Sequence, residues 1–258
     1  MRTAEELRAL VEGHLGGLAL HATPEAPGLA EAMRYPVETG GKRLRPVLCL
    51  AVGEAVGAEV EHLLAAAAAV ELVHTFSLVH DDLPALDDDP IRRGSPSAHV
   101  RFGEAVAILA GDALLAQAFE LTASYDTPQA TRELARATIG MIGGQYLDVT
   151  GEDVELRELH RLKTGRLFGA AVGCALAVAR VPPEEQLAWR EFADHFGLLF
   201  QLADDLADGD GSVDELGHDA TRALAAVEAE NARAALARAH ANTEVVQELL
   251  AELARYAA

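Results

Sequence analysis

Apolar residues recur along this chain at three- and four-residue spacing almost without interruption, and no stretch alternates with the period of two that a half-buried strand requires. No fixed-length repeat is visible either. Thr3 and Glu6 have the spacing of a capping box and predict a first helix to about residue 20, after which HATPEAPG (21–28) reads as a loop. A short helix is expected to stop before Pro36, and Pro46 is placed to open the next one. A long apolar helix is predicted over 59–83, ended by Pro84, and SPSAH (95–99) reads as a loop. Residues 103–124 form another apolar helix, interrupted by Asp112. Thr127 and Pro128 begin a helix that runs into GGQYLDVTG. The helix containing LHRLKTGRLFGAA is ended by Val181 and Pro182, and the next carries Phe200 and Gln201 towards Gly209, a C-terminal cap. From about residue 212 the chain is alanine-rich and helical. The pattern predicts an all-α fold of about ten antiparallel helices around a central cavity.

Composition narrows this picture. The 258 residues contain no Ser/Gly/Pro linker, so residues 1–258 are expected to form a single domain. A formal charge of −20 and a pI near 4.8 argue against nucleic acid or an anionic membrane surface as partner. Cys49 and Cys174, both in apolar helical contexts, indicate buried thiols rather than a disulfide framework or a zinc site. Glu5 and Glu6 occupy the place of a basic signal-peptide start, and Glu71, His74 and Asp112 break the long apolar runs. A cytoplasmic protein without a membrane span is expected.

The candidate chemistry lies at helix ends. Asp81, Asp82, Asp87, Asp88 and Asp89 place five carboxylates within nine residues, followed at once by Arg92 and Arg93. Two carboxylates ~5 Å apart repel by roughly 1 to 3 kcal/mol, and Asp81 and Asp82 also sit at the negative end of their helix dipole. Alone, such a run is most simply a solvated acidic turn. A second apolar helix, however, ends in Asp204, Asp205 and Asp208, with Asp204 and Asp208 on one face. Two helices ending in aspartates can clamp hard divalent ions whose remaining positions are filled by substrate phosphates.

The cations are as selective as the anions. Among 21 basic residues only Lys42 and Lys163 are lysines, and both lie in glycine-containing basic motifs. In TGGKRLRP, Gly40 and Gly41 let backbone approach a phosphate while Lys42, Arg43 and Arg45 supply charge. His74 lies two turns before Asp81 on nearly the same stripe; alone it would be a core histidine. Phe76 and Ser77, one turn below Asp81, are placed to floor a pocket. Gln145 and Asp148 share a face and either extend that cavity or satisfy each other. Lys163, Thr164 and Arg166 with Gly165 interrupt an apolar helix, which calls for a ligand or for tight packing.

The segments GGKRLRP, HTFSLVHDDLPALDDDPIRRGSPSAH, GGQYLD, LKTGRLF and FQLADDLAD, in this order between about 40 and 208, resemble the motifs of the polyprenyl (isoprenyl) diphosphate synthases, most of all the bacterial farnesyl diphosphate synthases. The resemblance implies an isoprenoid synthase-type helical bundle, usually a homodimer, that uses magnesium to join isopentenyl diphosphate head-to-tail to dimethylallyl or geranyl diphosphate. It implies about three Mg2+ ions per site. Asp81 and Asp87, supported by Asp82, would hold two of them, and Asp204 with Asp208 the third. Arg92 would grip the allylic diphosphate. Lys42, Arg45, His74 and Arg93, beside Gly41, would take isopentenyl diphosphate. Lys163, Thr164 and Gln201 would line the reacting carbon. Phe76 and Ser77 would limit chain length, a bulky Phe76 being similar to the aromatic floor of fifteen-carbon synthases.

The sequence departs from that family pattern after Asp208. The loop there is short, and LGHDATR puts His218 where a lysine is usual, with Arg222 one helical turn on. Besides a farnesyl diphosphate synthase, the residues therefore leave open a synthase of another length, such as geranylgeranyl diphosphate, or a catalytically weakened subunit.

Overall fold

A computed structural model describes residues 2–20 and 23–257, so residues 21 and 22 of the expected first loop lie outside the described residues. The chain runs α1 (Ala4–Gly17), α2 (Pro27–Glu38), α3 (Leu44–Ala55), α4 (Val60–Asp81), β1 (Ile91–Arg92), β2 (Ser95–Pro96), α5 (Ala98–Phe102), α6 (Glu104–Ala123), α7 (Gln129–Thr150), α8 (Leu156–His160), a π-helical turn (Arg161–Gly165), α9 (Arg166–Val178), a 3-10 turn (Pro183–Glu185), α10 (Leu187–Asp208), α11 (Ser212–Leu216), α12 (His218–Leu236) and α13 (Glu244–Tyr256). Among the described residues, ten helices (α1–α4, α6, α7, α9, α10, α12 and α13) have twelve residues or more. The all-α expectation holds.

Several boundaries follow from local chemistry. Thr3 caps α1 by accepting from the Glu6 amide at 3.2 Å, while Glu6 returns the bond to the Thr3 amide at 2.7 Å. Gly209 ends α10 in the left-handed region. Proline rules fail once. Helix α2 runs through Pro36, because Val37 is drawn into the core and the Thr39 amide bonds the Tyr35 carbonyl at 3.2 Å to close the turn beyond the ring.

The expectation of no strand needs a second correction. β1 and β2 pair antiparallel, Ile91 opposite Pro96 and Arg92 opposite Ser95, around a two-residue turn in which Arg93 and Gly94 both have positive φ. Strands of two residues are too short to leave a periodic signal. SPSAH, expected as a loop, supplies β2 and the start of α5.

Helix α4 is apolar on every side and lies in the interior, packed against α3, α6 and α9, while α10 packs between α9 and α12. By length and composition alone α4 and α6 could each cross a bilayer, despite Glu71, His74 and Asp112; the relevant window is 67% buried within the protein for α4 and 39% for α6. One core cluster joins residues from Leu7 to Ala257, and its largest members, Trp189, Phe192, Phe196 and Phe168, stack in succession along α10 and α9.

Small residues bring the π-helical turn close to both neighbours. A Cβ on Gly197 would lie 2.8 Å from the Gly165 Cα, and one on Gly144 would lie 2.6 Å from the Lys163 amide nitrogen. Gly144 and Gly197 therefore let this turn sit pinned between α7 and α10, whereas a Cβ on Gly165 itself would meet only ordinary contacts, the nearest at 3.7 Å. Bulges of this kind recur at functional sites.

Candidate active site

Helix α4 delivers Asp81 to a cavity of about 380 Å³ whose far wall is Asp204 from α10. Between them the cavity is lined by Arg45, His74, Arg92, Arg93, Lys163, Thr164 and Gln201. One aspartate from each of two clusters remote in sequence thus lines the same cavity. Burial raises the Asp81 carboxyl to about 6, with Asp87 pushing the same way and Lys163 opposing. Burial raises Asp204 to about 6 as well, with Lys42 and Arg45 opposing and Asp208 adding to the rise. Both carboxylates sit where their charge is uncompensated, and a cation would reverse that.

The second aspartate of each pair turns away. Asp82 is buried and accepts from Arg92 at 2.8 Å and 2.5 Å, and Asp89 takes the same guanidinium at 2.8 Å. Asp205, also buried, takes the Gln201 amide at 2.8 Å and the Ser212 backbone amide at 2.9 Å. Asp87 is exposed, its amide bonded to the Asp81 carbonyl at 2.8 Å, and Asp208 is exposed one turn beyond Asp204.

The basic face is built on the segment before α3. A Cβ on Gly41, whose φ is +144, would lie 2.7 Å from the Arg93 guanidinium carbon, and that guanidinium donates to the Gly40 carbonyl. The glycines thus admit a side chain from the hairpin. Arg43 corrects the sequence expectation. Left-handed at φ +50, it turns inward to Glu71 at 2.7 Å, Glu12 at 2.8 Å and the Val37 carbonyl at 2.5 Å, and it offers nothing to a ligand. Of its neighbours, Lys42 is exposed, whereas Arg45 reaches the cavity from within the protein. Lys42 Nζ lies 4.3 Å from the Tyr256 ring centroid, and Arg45 lies 4.5 Å from that of Phe168. The Arg45 Nε is buried without a hydrogen-bond partner, and burial brings the group down to about 10. Burial, then Arg45 and Arg93, push His74 well below its ordinary value, so it is a neutral hydrogen-bonding group.

On the opposite wall Lys163 bonds Asp148 at 2.5 Å, and the Thr164 hydroxyl donates to the Gln201 side-chain oxygen at 2.6 Å. Asp148 therefore serves Lys163, whereas the Gln145 amide is buried without partners. Below this polar cavity lies a second, of about 520 Å³, which shares Ser77, Asp81, Met141 and Lys163 with it and is otherwise walled by Phe76, His80, Leu115, Ile142, Tyr146 and Val149 among others. The Phe76 and His80 rings meet edge-on at 4.9 Å. Both expected floor residues line this chamber.

Sequence reasoning missed Tyr256 and the inward role of Asp205. The first contacts Lys42 from far along the chain, which no local pattern encodes. The second had a signal, since on a helix Asp205 and Asp204 point about 100° apart.

Among the described residues no three His, Cys, Asp or Glu side chains lie close enough to hold an ion unaided. Hard carboxylates, two of them uncompensated, fit a divalent cation that draws its other ligands from phosphate and water. The family model for polyprenyl synthetase matches residues 26–252. This chain belongs to the polyprenyl synthetase family.

The chain is 40% identical over 204 residues to a farnesyl diphosphate synthase of Bacillus subtilis, covering 73% of the chain and 69% of that protein. It is 44% identical over 215 residues to a heterodimeric geranylgeranyl pyrophosphate synthase large subunit of Arabidopsis thaliana, covering 76% of the chain and 58% of the relative. The geranyltranstransferase structure from Thermotoga maritima superposes with a TM-score of 0.88 at 31% identity, covering 98% of both chains.

Proposed function

We propose that residues 1–258 act as one polyprenyl synthetase domain that condenses isopentenyl diphosphate head-to-tail with dimethylallyl or geranyl diphosphate to give farnesyl diphosphate. The observation that carries this reading is the sharing of one cavity by Asp81 and Asp204 with five basic or imidazole side chains, directly above an apolar chamber. Asp81 and Asp87, with Asp82 behind them, and Asp204 with Asp208 would hold magnesium, about three ions with two diphosphates present. Bound magnesium neutralises the negative charge that grows on the leaving diphosphate.

The chain's own side chains do the rest. Arg92, clamped through Nε and Nη2 by Asp82 and Asp89, keeps Nη1 for the allylic diphosphate. Lys42, Arg45, His74 and Arg93 receive isopentenyl diphosphate; the unpartnered Arg45 Nε is a donor waiting for an anion. As the allylic carbon–oxygen bond breaks, its electron pair leaves with diphosphate. The Lys163 ammonium holds diphosphate oxygens, and the Thr164 and Gln201 oxygens face the cationic carbon. The isopentenyl double bond then forms the new carbon–carbon bond, and a proton passes to the departing diphosphate. No protein nucleophile is needed.

The growing chain descends past Ser77 towards Phe76. Phe76→Ala removes one wall of the Phe76–His80 pair and is expected to lengthen the main product towards twenty carbons, measured by sizing labelled products. Unchanged lengths would refute the floor. The chain is also expected to self-associate as a homodimer, a reading supported by exposed Ile108 and Leu109 on α6 and Ile139 and Ile142 on α7 and checked by light scattering.

The deciding assay combines purified protein, magnesium, labelled isopentenyl diphosphate and each of the five-, ten- and fifteen-carbon allylic diphosphates. Fifteen-carbon product from the first two supports the proposal, and a twenty-carbon end product reassigns it to geranylgeranyl diphosphate. Binding without condensation would favour the weakened-subunit reading. His218 and Arg222, at the place where a lysine is usual, are exposed, stand 3.3 Å apart and line neither cavity.

A further inference from the structure

An ionised carboxylate accepts hydrogen bonds and cannot donate them, whereas a carboxamide has one accepting and one donating end whose order is set by its neighbours. Asp205 applies that rule to Gln201. Its Oδ1 takes the Gln201 Nε2 at 2.8 Å, so Gln201 must turn its Oε1 to the other side, where the Thr164 hydroxyl donates to it at 2.6 Å. The Thr164 proton is thereby spent on Gln201, and the lone pairs of Thr164 are left for the cavity that Thr164 and Gln201 both line. Asp205 is absent from that lining and is only 2% exposed.

The anchor is itself held. The second oxygen of Asp205 accepts from the Ser212 amide at 2.9 Å, and Thr221, fully buried on α12, donates to the Ser212 carbonyl at 2.9 Å. His160 Nε2 stands 3.8 Å from the same oxygen. Gly211, at φ +53, allows the turn to close on the carboxylate, since a Cβ there would lie 2.9 Å from the Asp205 Cγ. Both carboxylate oxygens are committed to protein donors.

We propose that Asp205 is a positioning residue: it fixes the Gln201 amide with oxygen towards Thr164, so that the two side chains present the negative ends of their dipoles to the reacting carbon. Were the amide reversed, its hydrogens would point at a developing cation. The inference rests on the condensation proposed above and adds that the two neighbouring aspartates do different work, Asp204 facing the cavity and Asp205 acting through Gln201.

The test is a double-mutant cycle. Asp205→Asn is isosteric but offers one acceptor where two donors arrive, so the amide is no longer held in one orientation. It is expected to lower kcat about 10- to 100-fold. The KM of each diphosphate and the magnesium concentration for half-maximal rate should stay within about twofold, as for an interaction made only in the transition state. Gln201→Ala combined with Asp205→Asn should be no slower than Gln201→Ala alone, because Asp205 then has nothing to orient. Losses that multiply would overturn the proposal, as would a raised magnesium requirement, which would make Asp205 a metal ligand. If Asp205→Asn does not fold, Gly211→Ala, which crowds the same carboxylate, replaces it in the cycle under the same criteria. A wild type that condenses nothing would fail the reaction itself and this inference with it; a wild type that condenses, with multiplicative losses, would fail this inference alone.

Discussion

The ends of α4 and α10 carry the same dipeptide and use it in the same two ways, but with different partners. On each, the first aspartate faces the shared cavity at a raised value near 6, and the second is buried and turned into the protein. Asp82 holds a charged group, Arg92, that itself lines the cavity, whereas Asp205 holds neutral amides of Gln201 and Ser212. Under the proposed function the first aspartates would bind metal and the second would support a neighbour, the α4 end holding a guanidinium for a diphosphate and the α10 end an amide whose oxygen serves the reacting carbon.

The largest effect separates the first aspartates from the second. Asp81→Ala or Asp204→Ala is expected to lower kcat/KM by roughly 10²- to 10³-fold, as when electrostatic stabilisation of a leaving group is removed. Incorporation of labelled isopentenyl diphosphate measures it, and wild-type rates in either variant would break the comparison. Next, Asp82→Ala strips Arg92 of its buried partner. It should cost about 3 kcal/mol, the lower end for a broken buried pair because Arg92 is one-third exposed. Denaturant unfolding with an unchanged midpoint would sink that account.

A smaller effect concerns protons. Because Asp81 and Asp204 titrate near 6 when folded and near 3.8 otherwise, the metal-free folded state binds more protons in that window. Their contribution to stability is thus fully present below pH 3.8 and is lost as pH rises through about 6. Magnesium should therefore raise Tm more at pH 7 than at pH 5, and turnover should fall as pH drops below 6. Equal increments at the two pH values would contradict the uncompensated charges. The smallest effect lies at Lys42: Tyr256→Ala removes its cation–π contact and should raise the KM for isopentenyl diphosphate by roughly 2- to 5-fold. Tyr256→Phe should not.

Much of the site was legible because its chemistry is local. The aspartate runs at two helix ends, the two lysine motifs and the Lys-Thr-Gly interruption each show as residue types at helical spacing. Arg43 misled because its charge looked equal to that of Lys42 and Arg45; only Glu71 and Glu12, on two other helices, reveal it as an internal clamp. Pro36 misled because a local steric rule was outweighed by burial of Val37. The hairpin that presents Arg92 and Arg93 is below the length at which strand periodicity can be read.

The sequence by itself determined the long helices and the kinds of groups that most of their ends carry, since these depend on spacing, caps and side-chain chemistry within a few residues. Tertiary structure alone decided which aspartate faces the cavity, what its neighbour holds, and that Lys42 stands beside Tyr256 from the other end of the chain. Those choices depend on how helices rotate about their axes when they pack, and a rotation is set by the surfaces on all sides of a helix rather than by the residues along it.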